Sequence, residues 1–518
     1  MSLSYGQIFS NLMAAVDPAA PATIHADHVT SWAAFDAHTD AIAAASHAAG
    51  AVPGDRIAHL MRNSPAYFET TVAGFKARLV HVNVNYRYTG EELFYILSNS
   101  DAAVLVFDAE FANLVASIRS RLNVKLFLQV GGTTADFAQD YDTVASSSAR
   151  IGRQDHVHDD MLFIYTGGTT GLPKGVMWNQ GDVQAAMGAA IGFAADISLA
   201  DYLDAVRART ARYCALVLPP LMHGTGFLSA LSVMSRGGTI VTIPGDSFDA
   251  ELAAATCERY SCDRVSVVGD AFARPLLKAL DAGHGSIASV GAMTSSGTMW
   301  SPEVKAGLLR HAPEMMIVDS LGSSEALGFA AAVQTKDNAG AATRFVGDER
   351  TLLLDEHNQP VAPGERGRMA RGGLVPRGYW RDEAKSAATF VTIGGARYTI
   401  TGDWAILEAD GGYTLLGRGS QCINTAGEKV FPEEVEEALK THPAVDDALV
   451  FGVPDEKWGH AVSAVVEAQG PVDIEALRAH VRLQLAGYKT PKTVLVVAKV
   501  PRAANGKADY VAAKAMMG

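Results

Sequence analysis

The residues best suited to chemistry lie in Tyr165-Thr-Gly-Gly-Thr-Thr-Gly-Leu-Pro-Lys-Gly175, which sets four glycines, three threonines and one lysine in eleven residues. The apolar run Met161–Ile164 precedes it. A strand ending in such a loop gathers backbone N–H groups, hydroxyls and one ammonium on a concave tip, the donor set a polyphosphate needs. A P-loop asks for Gly, four residues, then Gly-Lys-Ser/Thr. Here Pro173 stands in place of the second glycine and Gly175 follows Lys174, so that pattern fails at two positions. A plain Gly/Thr surface loop would need neither the lysine after proline nor the apolar strand in front.

Five further stretches follow in order: Pro219-Pro-Leu-Met-His-Gly-Thr-Gly-Phe227, Asp319-Ser-Leu-Gly-Ser-Ser-Glu325, Thr401-Gly-Asp403, the region Gly417-Arg418 to Gly427-Glu-Lys-Val-Phe-Pro-Glu433, and Pro501-Arg-Ala-Ala-Asn-Gly-Lys507. Taken with the first loop, they resemble the adenylate-forming superfamily of acyl-CoA synthetases, luciferases and the adenylation domains of peptide synthetases. The variants Tyr165-Thr-Gly-Gly-Thr-Thr, Asp319-Ser-Leu-Gly-Ser-Ser-Glu and Gly417-Arg-Gly-Ser are similar to a branch of acyl-CoA ligases acting on long-chain or steroid side-chain acids.

The resemblance implies roles for particular residues. Thr166, Gly167, Gly168, Thr169, Thr170 and Lys174 are expected to hold the ATP phosphates, with Gly171 and Gly175 letting the backbone close. Glu325 is expected to bind Mg²⁺, with Ser324 beside it. Ser296, Gly297, Leu321 and Gly322 are expected at the adenine, where relatives commonly have an aromatic in place of Leu321. Asp403 and Arg418 are expected at the ribose. His223 is expected to line the acyl pocket as a gating and orienting group, since a carboxylate needs no deprotonation at neutral pH. Gly224 and Gly226 are expected to leave room for a bulky acid. Lys507 is expected to bridge carboxylate and α-phosphate during adenylation, and Ser420 to be the hinge for a rotation that admits CoA. An amino-acid-activating domain is disfavoured because no aspartate occurs in Leu221–Phe227. An acyl-AMP-forming enzyme with another acceptor and a non-catalytic nucleotide-binding regulator are the alternatives.

These groups need elements to place them. The 518 residues exceed one core, and 48% hydrophobic with 19% charged residues suits a globular protein. Alternating helical and strand patterns to about residue 400 favour layered α/β sheets. After Gly417 a separate small α+β domain is expected, so the fold class is α/β, a large N-terminal multi-sheet domain (1–417) with a small mobile C-terminal one (418–518). Pro432 followed by Glu433, Glu434, Glu436 and Glu437 marks a helix start, and Asp473 caps another helix. Ile197–Arg212 reads as a helical insert, either covering the pocket or solvated.

A net charge of −13 disfavours nucleic acid or an anionic membrane as partner, so ATP and CoA must meet local positive sites. The cysteines at 214, 257, 262 and 422 show no metal or disulfide spacing. Met1-Ser-Leu-Ser-Tyr-Gly lacks signal-peptide character, and a soluble, cytoplasmic enzyme is expected. The acid's identity and the oligomeric state are not legible.

Overall fold

The structure, a computed structural model, describes all residues except 1, 89, 167–172, 190–192, 299, 342, 419–420, 426–427, 456–458, 469, 486, 504–505 and 518. For Ala189, Arg418, Asn424, Glu428, Lys429 and Gly459 it describes the backbone alone. Among the described residues four sheets form, two of eight strands and two of five.

The first large sheet runs in the order Ala326–Gln334, Met316–Ser323, Ala292–Ser296, Arg264–Val267, Cys214–Val217, Thr239–Thr242, Pro21–His25, His28–Ser31. Its six inner strands are parallel and both edge strands antiparallel. The second orders Gly378–Tyr379, Lys174–Asn179, Met161–Thr166, Val80–Asn83, Arg56–Leu60, Ala102–Asp108, Leu126–Val130, Gln139–Asp140. It is parallel from Met161–Thr166 to the Gln139–Asp140 edge. One core joins the sheets, filled by Val217 and Ile240 from the first, Ile57, Val104, Ile164 and Trp178 from the second, and Phe35, Phe75, Phe227 and Leu231 from helices. Ligands of such sheets collect outside the carboxyl ends of parallel strands. Thr166, Asn83, Pro219–His223, Ser296 and Ser320–Ser323 all sit at or just past those ends.

A third sheet carries Asp403 on the strand Ala396–Leu407, directly opposite Arg418 on Tyr413–Arg418. It shares a core of Phe329, Phe345, Met369 and Tyr413 with Leu321. The last sheet pairs Glu428–Val430, Ile423–Thr425, Gly459–Ala468 and Val445–Asp455, with Thr493–Val497 beside Gly459–Ala468. The helices Pro432–Lys440 and Ile474–Gln484 cover one face through Val435, Leu439, Leu477 and Val481. Pro432 opens the first and the Asp473 carboxylate caps the second, as the sequence leads one to expect.

Three local features bear on the site. Val80–Asn83 has alternating polarity but is buried on both faces, because it lies inside a parallel sheet; its polar residues brace the site instead of meeting water. The insert helix Leu199–Ala208 buries Tyr202, Leu203 and Val206, and the Tyr202 hydroxyl donates to Ser235 O at 3.0 Å. It is a surface helix with one face packed on the core and the other in solvent. Gly226 leaves no room for a ligand: a Cβ there would stand 2.7 Å from both Pro219 O and Pro220 O. The first turn of the helix Gly224–Met234 crosses this proline loop too tightly for a side chain. Gly224 does face open space. We expect Gly226→Ala to destabilise the protein by about 1–3 kcal/mol, as overpacking does. Chemical denaturation checks this, and unchanged stability would contradict the steric account.

Candidate active site

The phosphate-type loop is the tip of an antiparallel hairpin. Thr166, the last residue of one strand, lies directly across from Lys174, the first of the next. Gly167, Gly168, Thr169, Thr170 and Gly171 fall outside the described residues. Gly175 is glycine for a reason other than loop closure, since a Cβ there would stand 2.8 Å from its cross-strand partner, the Tyr165 ring.

The base of the hairpin is fixed by Asn83. Its side-chain oxygen accepts from Tyr165 N at 2.7 Å, and its amide nitrogen donates to Tyr165 O at 2.9 Å and Met222 O at 2.7 Å. One buried amide thus ties the strand into the loop to the turn carrying His223. Asn63 repeats the device: it donates to Pro219 O at 3.0 Å and accepts from Leu221 N at 2.7 Å. Both asparagines lie at or just beyond the carboxyl ends of neighbouring parallel strands. Nothing in the sequence reading singled them out; their place at strand ends was the available signal.

Two residues far along the chain complete the hairpin's surroundings. The strand Gly378–Tyr379 pairs with Lys174–Asn179, Lys174 forms an ion pair with Asp382, and its ammonium lies 6.0 Å from the Tyr379 ring. The hydrogen bond from Lys174 holds the Asp382 carboxyl below the usual range. The Tyr379 hydroxyl donates to Glu325 Oε1 at 2.8 Å, and Trp178 Nε1 donates to Ser324 O at 2.8 Å. Lys174, Glu325 and Ser324 are therefore brought together through Tyr379 and Trp178. Asp319, which begins the Glu325 motif, faces away: it is buried against Lys305 Nζ at 2.9 Å, which also donates to Thr343 at 2.7 Å.

His223 is the N-cap of Gly224–Met234 and is half-buried. Burial, then the charges of Lys507 and Arg87, push its imidazole down to about 3, so it is neutral at physiological pH. Lys507 reaches the same place from the small domain. Gly297 adopts φ +100°, and a Cβ there would lie 3.6 Å from Lys507 Cε and 3.7 Å from Thr225 Oγ1. Thr225 in turn donates to Ser296 O at 3.4 Å. The structure thus gathers His223, Ser296, Gly297 and Lys507 on one spot.

Leu321 packs on the core below Asp403's strand, and Gly322 stands where a Cβ would be 3.2 Å from Ala326 O. Asp403 accepts from Thr401 Oγ1 at 2.6 Å. The side chain of Arg418, and Ser420 entirely, lie outside the described residues. Beside the His223 turn a cavity of about 220 Å³ opens, lined by Arg62, Arg87, Pro220, Phe248 and Phe272 among others.

The arrangement resembles known proteins throughout. Residues 12–380 match the AMP-binding enzyme family, and residues 434–507 the AMP-binding enzyme C-terminal domain. The 3-oxocholest-4-en-26-oate–CoA ligase of Rhodococcus rhodochrous is 39% identical over 490 residues, covering 90% of this chain and 88% of that one. The medium-chain acyl-CoA ligase Mig of Mycobacterium avium is 38% identical over 489 residues, covering 91% and 88%. Among solved structures, the anthranilate CoA ligase AuaEII in complex with anthranoyl-AMP has a TM-score of 0.86 at 21% identity, covering 99% of this chain and 97% of that one. The amide bond synthetase McbA from Marinactinospora thermotolerans has a TM-score of 0.83 at 23% identity, covering 99% of each. These two share the fold. With most of its length matched by one family and its motif residues gathered at the strand ends, the chain belongs to the AMP-binding enzymes.

Proposed function

We propose that this chain is an ATP-dependent acyl-CoA ligase that activates a medium-chain, long-chain or bulky polycyclic carboxylic acid as acyl-AMP and passes the acyl group to CoA. The observation that carries the reading is the delivery of Lys507 to the spot between Gly297 and Thr225, beside a neutral His223. In the first half-reaction a carboxylate oxygen attacks the α-phosphorus of ATP, the bond to the bridging oxygen breaks, and pyrophosphate leaves. Two anions must approach each other, and the Lys507 ammonium offsets their repulsion in that step alone. A neutral His223 orients the acid without adding charge, and the open space at Gly224 faces the acyl side.

Thr166, Gly167, Gly168, Thr169, Thr170 and Lys174 take the phosphates, with Lys174 leaving Asp382 for them. Ser296, Gly297, Leu321 and Gly322 take the adenine, and Asp403 with Arg418 the ribose. Glu325 and the Ser324 hydroxyl are hard oxygen donors. They fit Mg²⁺ carried on ATP, an ion usually held by one or two carboxylates plus substrate phosphates. Magnesium, when bound, neutralises phosphate charge.

In the second half-reaction the CoA thiol attacks the acyl carbonyl, AMP departs, and the thiol proton is released. Lys507 must first withdraw. We place the domain boundary after Gly417 and the pivot at Ser420. Gly417, at φ +111°, holds a backbone conformation that other residues rarely adopt, with the Glu433 carboxylate against it. The cavity lined by Arg87 and by Arg62, which is paired with Glu110 and Asp246, is the approach we assign to the thiol, Arg87 meeting an anionic carrier that the net charge of −13 would repel. The substrate range rests on the sterol-acid and medium-chain ligases it is similar to. No helix among the described residues is long and apolar enough to cross a membrane; we assign the enzyme to the cytoplasm.

The test is a panel of acids from acetate through palmitate to steroid side-chain acids, with ATP and Mg²⁺, following AMP and pyrophosphate with and without CoA. CoA-dependent turnover of long or polycyclic acids supports the reading. Pyrophosphate release without thioester points to another acceptor, and silence across the panel contradicts it. Lys507→Ala should lower adenylation about 10²-fold or more, in line with loss of one aimed donor; unchanged pyrophosphate release contradicts its role. Because His223 is held near 3 instead of 6.5, no proton binds it as pH falls from 8 to 5. The unfolded chain does take up that proton, so this histidine lowers stability progressively below pH 6.5. The adenylation rate should show no step near 6.5 traceable to it. A step there that vanishes in His223→Gln would contradict the neutral assignment.

A further inference from the structure

Resting on the ligase reading, we infer that the helix Gly269–Asp281 is a seat that positions Lys507 for adenylation, with Asp270, Lys278 and Lys440 as positioning residues. The described residues next to Lys507 are tied to one another. Ala503 N donates to Lys507 O at 2.8 Å, Gly506 N to Ala503 O at 2.9 Å, and Arg502 Nη1 to Gly506 O at 3.0 Å. Arg502 also makes a two-point pair with Asp447, at 2.5 and 2.7 Å. The loop is therefore rigidly joined to the small-domain strand Val445–Asp455, and wherever that strand goes, Lys507 goes.

That unit rests on the large domain at one helix. Gly506, at φ +76°, has no space for a Cβ, which would stand 2.8 Å from Ala271 Cβ and 3.5 Å from Phe272. Two turns further along the helix, Lys278 Nζ lies 3.4 Å from Asp446 Oδ1, next to the Arg502 partner. At the start of the helix, next to Ala271, lies Asp270, buried and bonded by Ser301 N at 3.0 Å, by the Ser301 hydroxyl, and by Arg274 at 2.9 Å. Burial acts to raise its carboxyl, and Lys440, then Arg274 and the Ser301 bonds, outweigh this and hold it below the usual range. Lys440 is itself buried at the end of Pro432–Lys440. Burial acts against its charge, and Glu437, Asp270 and Asp447 together outweigh that and raise it. The seat is thus steric at Gly506 and ionic at Lys278 and Asp446, with the opposite buried charges of Asp270 and Lys440 acting in the same sense.

The contact is also built to separate. If the small domain leaves, Asp270 keeps Arg274 and Ser301, Lys440 keeps Glu437, and Arg502 keeps Asp447. Of the ions at the seat, only the partly exposed Lys278 and Asp446 give up each other, and water replaces that contact; the buried ones keep a partner, and losing it is what makes buried pairs costly to break. A seat made only of one-to-one buried pairs would hold Lys507 in place and block the thiol step.

The experiment measures ATP–pyrophosphate exchange and, separately, thioester formation from pre-formed acyl-AMP and CoA. Lys440→Met should lower exchange about tenfold, since it removes a buried ionic partner, while thioester formation stays within about twofold; Lys440→Arg should restore exchange. Equal loss in both half-reactions, or no loss of exchange, overturns the proposal. Should Lys440→Met fail to fold, Lys278→Glu, at an exposed site, should reduce exchange about two- to fivefold. The charge swap Lys278→Glu with Asp446→Lys should recover it. No reduction, or a reduction the swap leaves in place, also overturns the proposal. Unmutated enzyme performing both half-reactions upholds the ligase reading whatever the variants do, so the two failures read out separately.

Discussion

The spacing of the site depends on one buried amide. Asn83 is the only described side chain bonded both to the strand feeding the phosphate-type loop and to the turn bearing His223. These pieces belong to different sheets, and packing of apolar side chains alone would let them slide by fractions of an ångström. Three directed hydrogen bonds at 2.7–2.9 Å, shielded from water, permit much less. Asn63 adds two bonds on the same proline loop. Joining two anions needs reacting atoms held in register, and effective molarity falls steeply when they are not. The asparagines therefore connect sheet packing to the rate of the chemical step.

Charge follows the same economy. A chain of net charge −13 has to take up two anionic nucleotides, so its cations are kept in reserve at particular places. Lys174 waits on Asp382 beside Tyr379 and Glu325. Lys507 comes from the C-terminal region, and its charge acts on His223. Each cation has a carboxylate or a neutral neighbour to hold it until substrate arrives, and in each case the neighbour comes from a segment distant in sequence.

Much of the arrangement was legible in the chain. Thr166, Lys174, Glu325, His223 and Lys507 stand in the motifs the sequence singles out, and the structure places Thr166 and Lys174 at strand ends, Glu325 between two strands, His223 at a helix start and Lys507 beside Gly297. The Pro432 and Asp473 helix starts follow from local capping energetics and need no tertiary information. What was hidden depended on contacts across the sheets. Asn83 ends a strand of alternating polarity, and alternation cannot distinguish a solvated face from a buried polar brace. Tyr379 and Asp382 carry no local signal, since their partners lie some 50 to 200 residues away. Gly226 is expected to leave room for the acid and Gly175 to let the loop close, whereas Pro219 and Pro220 crowd the first and the Tyr165 ring the second. A glycine announces close approach but not what approaches.

The central claim, that a buried amide sets the distance between the phosphate and acyl halves of the site, is tested most directly by Asn83→Asp. The substitution keeps the shape and the acceptor for Tyr165 N but removes both donors, to Tyr165 O and Met222 O. Single-turnover acyl-AMP formation at saturating ATP and acid should slow about tenfold or more, as a small misplacement of reacting groups does, in a protein whose far-ultraviolet dichroism is unchanged. A folded Asn83→Asp enzyme that forms acyl-AMP at the original rate would contradict the account.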